Sequence, residues 1–208
     1  MNRDVRVGLI DYGAGNLTSV AKGLRAAGGD VRIALGPRDL ERADALVLPG
    51  VGHFAATAPL DAAWRTAIQD AIAARRPFLG ICLGLQWLFD GSDEAPDVPG
   101  LGLFHGRCAA ITGDVKVPHV GWNTLDRTPQ AHPPRVLDGI ATGAFAYFTH
   151  SYAAPVVDAS IATTTHGVRF SAAVERDRVV GVQFHPEKSG RAGLRLLTNF
   201  LTLAREAA

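Results

Sequence analysis

Cys82 stands between two glycines, Gly80 and Gly84, in the stretch P-F-L-G-I-C-L-G-L-Q. The apolar run Phe78-Leu79-Gly80-Ile81 predicts a buried strand and Leu83–Phe89 predicts a helix, so the cysteine falls at the joint. In a Gly-x-nucleophile-x-Gly turn, small residues let a strand bend sharply into a helix while the nucleophile stays strained and exposed at the strand's carboxyl end. A helix N-terminus offers free N–H groups and partial positive charge, which favour a thiolate. The chemistry on offer is attack by sulfur. Taken alone, Cys82 fits a buried structural cysteine equally well, since free cysteines are among the most buried residues.

Far along the chain, G-V-Q-F-H-P-E-K-S (Gly181 to Ser189) ends another strand-like run. In extended chain, residues two apart point the same way, so His185 and Glu187 are expected to project together, stiffened by Pro186. A carboxylate bonded to one imidazole nitrogen fixes the tautomer and leaves the other nitrogen free as a base. An isolated His-x-Glu is more often a strand cap beside a solvated acid, but beside a cysteine elbow the balance reverses and a nucleophilic triad results. His53, His119 and His150 lie in motif-like stretches without a carboxylate two residues away, and His105, His132 and His166 read as ordinary loop or strand-edge residues. No histidine pair has the i,i+4 spacing of a helical metal site, so neither a metal nor a cofactor is expected. Cys108 has no elbow around it and reads as structural.

These groups need a scaffold that brings distant loops together. Val5–Ile10 predicts a strand, followed by the glycine-rich turn Asp11–Asn16 and a helix with Leu17, Val20, Leu24 and Ala27 on one face, Asn16 as its N-cap and Gly28-Gly29 as its stop. Gly13-x-Gly15 lacks the third glycine of a dinucleotide fingerprint. Strands follow at Asp30–Leu35 and Ala45–Leu48, with a short helix start at Pro37–Arg42 between them. The loop Pro49-Gly50-Val51-Gly52-His53-Phe54 can bring backbone N–H groups close to a bound group. A helix over Asp61–Arg75, with Trp64, Ile68, Ala71 and Ile72 on its apolar face, precedes the elbow. This alternation argues for a parallel α/β sheet with its functional groups at the strands' carboxyl ends. Asp90–Gly102 reads as a polar loop carrying Asp93, Glu94 and Asp97. The strand-like runs Leu103–Ile111, Lys116–Asn123, Ala144–Tyr152, Ser160–Thr165, Arg169–Arg176 and Val179–Phe184 come next. A final helix is predicted over Ser189–Ala207, with Leu194, Leu197, Leu201 and Ala204 on one face and Ser189 as N-cap.

With 208 residues and no linker or repeat, one domain over residues 1–208 is expected. The charge balance of 21 basic against 20 acidic residues argues against a nucleic-acid binder. Two cysteines form no disulfide framework, which suits a reducing, cytoplasmic setting. Met1-Asn2-Arg3-Asp4 leads straight into the first strand without a long apolar segment, so neither export nor a membrane partner is expected.

Taken together, P-G-V-G-H-F, G-I-C-L-G-L-Q and G-V-Q-F-H-P-E-K-S resemble the class I, triad-type glutamine amidotransferases. D-Y-G-A-G-N (Asp11 to Asn16), K-V-P-H-V-G-W-N (Lys116 to Asn123) and Y-F-T-H-S-Y (Tyr147 to Tyr152) narrow the resemblance to the glutaminase subunits of imidazole glycerol phosphate synthase, over residues 5–203. Val120 and Leu85 stand where that family often has methionine, and Thr149 where it often has valine. The resemblance implies an α/β, flavodoxin-like fold: a mostly parallel central sheet flanked by helices, with an additional antiparallel strand region in the C-terminal half. It implies hydrolysis of L-glutamine by Cys82, His185 and Glu187, with oxyanion donors from the backbone of Val51 and Leu83. It points to Gly50, Gly52, Gln86, Glu94, Ser151 and Tyr152 for substrate binding, and to Tyr12, Asn16, Trp122, Asn123 and Lys188 for a rim that meets a cyclase subunit in a heterodimer. A glutaminase of anthranilate or guanylate synthesis would be expected to lack K-V-P-H-V-G-W-N, and an idle binding protein on this fold would not need Cys82, His185 and Glu187 intact.

Overall fold

The computed structural model describes residues 4–130 and 132–207; Met1–Arg3, expected to lead directly into the first strand, lie outside the described residues. In chain order the elements are β1 (Val5–Ile10), α1 (Leu17–Ala26), β2 (Gly29–Ala34), β3 (Ala45–Leu48), α2 (Ala62–Ala73), β4 (Phe78–Ile81) and α3 (Leu83–Trp87). They continue with β5 (Gly91–Ser92), β6 (Ala95–Pro99), β7 (Arg107–Ala110), β8 (His119–Arg127), β9 (Ala144–His150) and β10 (Tyr152–Ala153). β11 (Ser160–His166), β12 (Val168–Arg176), β13 (Val179–Val182) and α4 (Gly190–Arg205) complete the chain.

Among the described residues, nine strands form one sheet in the order β2-β1-β3-β4-β13-β12-β11-β8-β9. From β2 to β13 neighbouring strands are parallel; from β13 to β9 every pairing is antiparallel. The antiparallel region is thus a direct extension of the parallel sheet. A smaller sheet, β10-β7-β5-β6, lies beside it. β3, β4 and β13 are buried along their whole length, as continuous Val/Leu/Ile-rich runs in a sheet covered on both faces should be. One core packs α1 and α4 against the sheet through Leu24, Leu197, Phe200 and Leu201; the other packs α2 and α3 through Trp64, Ile68, Leu85 and Trp87. Among the described residues, no helix is long and apolar enough to cross a membrane.

Most expected elements are present within a residue or two, although the strand expected over Lys116–Asn123 runs instead over His119–Arg127. The Asn16 side chain caps α1 by accepting from the Ser19 amide, and Asp61 caps α2. Pro37–Arg42 forms a 3-10 helix. Four expectations need correction. Asp90–Gly102 holds the β5–β6 hairpin with Asp93-Glu94 at its tip; its prolines are tolerated because β6 is an edge strand, where no ladder donor is required. In Leu103–Ile111 only Arg107–Ala110 is a strand, because the amides of Leu101, Gly102, Leu103 and Phe104 turn back onto the carbonyls of Trp87, Leu88 and Phe89 at the end of α3. Ser189 occupies the N-cap position of α4 without a side-chain capping bond, since its Oγ donates to the His185 carbonyl and accepts from the Tyr147 amide. Leu194 is 42% exposed, while Leu196, Phe200 and Leu203 join Leu197 in the buried stripe.

Leu197→Ala is expected to lower unfolding stability by about 2–5 kcal/mol, the usual loss for a fully buried leucine. Leu194→Ala should change it by no more than about 0.5 kcal/mol. Urea unfolding midpoints at unchanged slope distinguish the two, and equal losses would show that the stripe is misassigned.

Candidate active site

The site gathers where the parallel strands end. β4 lies between β3 and β13, parallel to both, so the segments after all three strands meet at the carboxyl ends of neighbouring strands. Cys82 follows β4 and has φ +54° and ψ −105°, a backbone conformation that side-chain-bearing residues rarely adopt. Its amide donates to the Val182 carbonyl at 2.7 Å and its carbonyl accepts from the Gln86 amide at 3.1 Å, which hold the turn from both ends. A Cβ on Gly84 would overlap the Leu48 carbonyl oxygen, so the first turn of α3 lies directly on the end of β3. A Cβ on Gly50 would strike the Tyr12 hydroxyl and Leu83, so the glycine loop after β3 is seated against the elbow.

His185 and Glu187 do meet, through a different geometry from the one expected. His185 is extended, but Pro186–Lys188 is a 3-10 helix, which curls Glu187 back toward the ring. His185 Nδ1 and Glu187 Oε1 are 2.9 Å apart, and the two side chains are 2% and 1% exposed. His185 Nε2 and Glu187 Oε2 are both buried without a hydrogen-bond partner. Burial disfavours the charged imidazole, but the Cys82 sulfur and the Glu187 carboxylate outweigh it and push His185 up to about 9. With Nδ1 engaged by the carboxylate, Nε2 is the nitrogen left for chemistry.

A cavity of about 240 Å³ opens beside Cys82, lined by Gly52, Leu83, Gln86, Glu94, Pro118, Thr149, His150, Ser151 and Tyr152. Five of the expected binding residues therefore line one space. Gly50 does not; it lies beneath the loop against Tyr12 and Leu83. Glu94, at the β5–β6 tip, reaches the glycine loop and accepts from the Phe54 amide through Oε2 at 2.7 Å. The Leu83 amide belongs to the first turn of α3, where N–H groups lack an intrahelical acceptor, and Val51 is 38% exposed.

The expected rim residues divide. Trp122 is 56% exposed on the outer face of β8, beside Val120 at 58%; it pairs with Tyr147 on β9, and Phe145, 59% exposed, lies diagonal to it. Lys188 places Nζ 5.7 Å from the Tyr147 ring, which meets Trp122 edge-on at 5.9 Å. Tyr12 is buried at 6% exposure, its hydroxyl unpartnered, so it faces the interior and not the surface. Asn123 follows Trp122 in the strand and so points to the other face, where it donates to the Thr165 carbonyl. Asn16 uses its side chain to cap α1.

Sequence reasoning missed several neighbours of the site. His119 and His150 are buried, 3.1 Å apart between Nδ1 and Nε2, and His166 stacks on His119 at 4.1 Å. Their association depends on the β8–β9 register, which pairs His119 with His150, and no local pattern announces it. Gln183 donates to the Cys82 sulfur at 3.5 Å. Its position two residues before His185, on the same side of an extended strand, was the available signal. Cys108 is fully buried against the Gln86 carbonyl, and burial raises its thiol well above the usual range. Among the described residues, no group of three or more His, Cys, Asp or Glu is placed to hold a metal ion.

The glutamine amidotransferase class-I family model matches residues 8–204. Imidazole glycerol phosphate synthase subunit HisH of Methanothermobacter thermautotrophicus is 46% identical over 200 residues, covering 96% of this chain and 99% of the relative. The HisH subunits of Thermococcus kodakarensis and Deinococcus radiodurans are each 46% identical, covering 95% and 92% of this chain and 100% and 91% of those proteins. Solved structures similar in fold include PurLQS from Thermotoga maritima, with a TM-score of 0.75 at 17% identity over 96% of this chain and 99% of that one. The glutaminase domain of Trypanosoma brucei CTPS with bound acivicin has a TM-score of 0.70 at 16% identity, over 97% of this chain and 94% of that one. The match from residue 8 to residue 204, with near-full-length relatives at this identity, means that the chain belongs to the class I glutamine amidotransferase family, among the HisH subunits of imidazole glycerol phosphate synthase.

Proposed function

We propose that the chain is a single glutaminase domain that hydrolyses L-glutamine to glutamate and ammonia and passes the ammonia to a cyclase subunit, for imidazole glycerol phosphate and aminoimidazole carboxamide ribotide formation in histidine biosynthesis. The observation that carries the reading is the strained Cys82 at the mouth of the cavity, with a buried His185–Glu187 pair behind it. The sulfur attacks the side-chain amide carbon of glutamine, and His185 Nε2 gives its proton to the departing ammonia. With His185 pushed up to about 9, the imidazole already holds that proton at neutral pH. Forming the γ-glutamyl thioester removes the sulfur's negative charge, one of the causes that raise His185. Burial then weighs more heavily, and the ring becomes able to take a proton from the attacking water.

The oxyanion of each tetrahedral intermediate is held by the backbone N–H groups of Leu83 and Val51, each donor contributing about 2.7–4 kcal/mol. Gly50 and Gly52 let the loop turn the Val51 amide toward the oxyanion, with Gly50 acting through the loop while Gly52 lines the cavity. Glu94 leaves one carboxylate oxygen for the substrate's ammonium group, the other being held by the Phe54 amide. Gln86, Ser151 and Tyr152 line the remaining wall.

Ammonia released into bulk water is protonated and dispersed, so the reaction needs an acceptor at the cavity mouth. The exposed Val120, Trp122 and Phe145, with Tyr147 and Lys188 beside them, make an apolar and aromatic face suited to a (β/α)8-barrel cyclase partner. The resemblance alone assigns Asn16 and Asn123 to its border, and Lys188 pairs with a partner acid.

Three outcomes test this reading. Glutamate release, assayed with and without the cyclase subunit and its nucleotide, should fall on the order of 10⁴-fold or more in Cys82→Ala; retained function would favour an idle binding protein on this fold. The alkaline limb of kcat/KM should lie near pH 9, because the imidazolium form is present below the raised value and lost as pH rises through it. Glu187→Gln removes one raising charge and should move that limb to lower pH, and an unmoved limb would take the carboxylate out of the mechanism. On the outer face, Trp122→Ala should weaken subunit association by about 2 kcal/mol or more and Lys188→Glu by tenfold or so, at unchanged melting temperature. Unchanged association and ammonia transfer in both would move the interface elsewhere.

A further inference from the structure

Gln183 is the polar side chain of the G-V-Q-F-H-P-E stretch that the reaction above leaves without a task. It is completely buried. Its Nε2 donates to the Cys82 sulfur at 3.5 Å, and its Oε1 accepts from Gln86 Nε2 at 3.1 Å. Which end of a glutamine amide is nitrogen follows from its partners. Gln86 Nε2 gives its other proton to the Tyr152 carbonyl at 2.8 Å, so Gln86 presents its amino group there, and the Gln183 atom facing it is the oxygen. The Gln183 nitrogen is therefore turned to the sulfur.

The same carbonyl continues the chain of bonds. Tyr152 O also accepts from His150 Nδ1 at 2.9 Å. A neutral His150 protonated at Nδ1 accepts at Nε2, which takes the Nδ1 proton of His119 at 3.1 Å. His119 Nε2 then accepts from Asn123 Nδ2 at 3.3 Å, and Asn123 also donates to the Thr165 carbonyl at 3.1 Å. Burial keeps both imidazoles neutral, His119 pushed down to about 4 and His150 to about 3, as these one-way bonds require.

Taking Cys82 as the nucleophile, we infer that Gln183 is a further catalytic residue: its side-chain N–H holds the Cys82 sulfur and stabilises the thiolate, in an orientation set by the buried chain through Gln86, Tyr152 O, His150, His119 and Asn123. The sulfur's other contacts show why such a donor matters. As a thiol it reaches the Thr149 carbonyl at 3.8 Å, a contact that only the protonated form can use. The Gln183 N–H serves the charged form, and hydrogen bonds to an ionised acceptor are the stronger ones. The remaining titratable groups around the sulfur are His185 with Glu187 behind it, Tyr12 from the β1 loop, and Glu94 and Tyr152 in the cavity wall. Of these only His185 supplies a positive charge, and it gives up its proton during the reaction, whereas the Gln183 donor stays in place throughout.

The test reads the sulfur directly, without glutamine. Alkylation of Cys82 by iodoacetamide, followed across pH by peptide mass spectrometry, gives the midpoint of thiolate formation. Gln183→Met keeps the length and removes the N–H; its midpoint should rise by about one pH unit, a tenfold bias against the thiolate. Below that midpoint, where thiolate is the minor form, its kcat/KM should fall about tenfold in proportion, with the melting temperature reporting folding separately. In the unaltered protein, the Gln183 side-chain ¹⁵N resonance should move with the Cys82 midpoint and stop moving in Cys82→Ala. A folded Gln183→Met with unchanged midpoint overturns the inference. If that variant does not fold, a Gln183 resonance indifferent to Cys82 ionisation does so. Loss of glutaminase activity in Cys82→Ala is read independently, so a failed glutaminase reading and a failed role for Gln183 give different results.

Discussion

Cys82 holds a positive φ that would relax if its neighbours let it, and much of the molecule prevents that. A non-glycine residue in such a conformation costs about 1–3 kcal/mol and persists only where the surroundings over-determine it. Here the surroundings are β4 and β13, which fix the amide on one side, and the first turn of α3, which fixes the carbonyl on the other. α3 in turn is pressed against the Leu48 carbonyl, where only the absence of a side chain at Gly84 permits the approach. Cys82 packs with the core containing α1 and α4, while Leu83 packs with the core containing α2 and α3. The elbow is therefore the point where the chain crosses from one face of the sheet to the other. Relaxing it would disturb both cores, and that is what keeps the sulfur at the cavity mouth.

The second constraint is electrostatic. Glu187 is buried with one oxygen on His185 and the other without a partner, an arrangement that desolvation alone would penalise heavily. Its compensation is the imidazolium charge, and the Cys82 sulfur favours that charge from the opposite side. The three groups therefore depend on one another: losing the negative charge at either end weakens the case for the proton in the middle. A catalyst whose base must hold a proton in one half-reaction and release it in the next needs this responsiveness. An exposed histidine with an ordinary pKa would lack it, because water would screen both neighbours.

Local patterns carried the parallel half of the fold and the core of the site. The all-apolar runs at Ala45–Leu48 and Phe78–Ile81, the cap at Asn16 and the glycines around Cys82 are each set by a few adjacent residues. His185 and Glu187 were found by spacing, although the 3-10 turn that joins them was not, because a proline between two polar residues suits extended and turning backbone alike. What the sequence hid depends on register. Tyr12 and Asn123 were expected on the rim, yet a tyrosine in a glycine-rich turn has no local sign of burial, and one residue of phase decides whether Trp122 or Asn123 faces outward. The His119–His150 contact and the Gln183 bond to sulfur join residues that only strand pairing brings together.

The antiparallel half gives that pairing its use. β9 is the last strand of the large sheet, and its outward residues, Phe145, Tyr147 and Thr149, alternate with the buried Ala146, Phe148 and His150. Beyond its end, Ser151 and Tyr152 form the cavity wall. The free edge of β9 is not left open to solvent at Tyr147: its carbonyl accepts from the His185 amide at 2.8 Å and its amide donates to Ser189 Oγ at 2.9 Å. The ring of the same residue lies outward beneath Lys188. A single strand thus carries the exposed aromatic face, the backbone support of His185 and Ser189 and the approach to the cavity wall. Such a layout suits an enzyme whose product is useful only when a partner is in place to receive it.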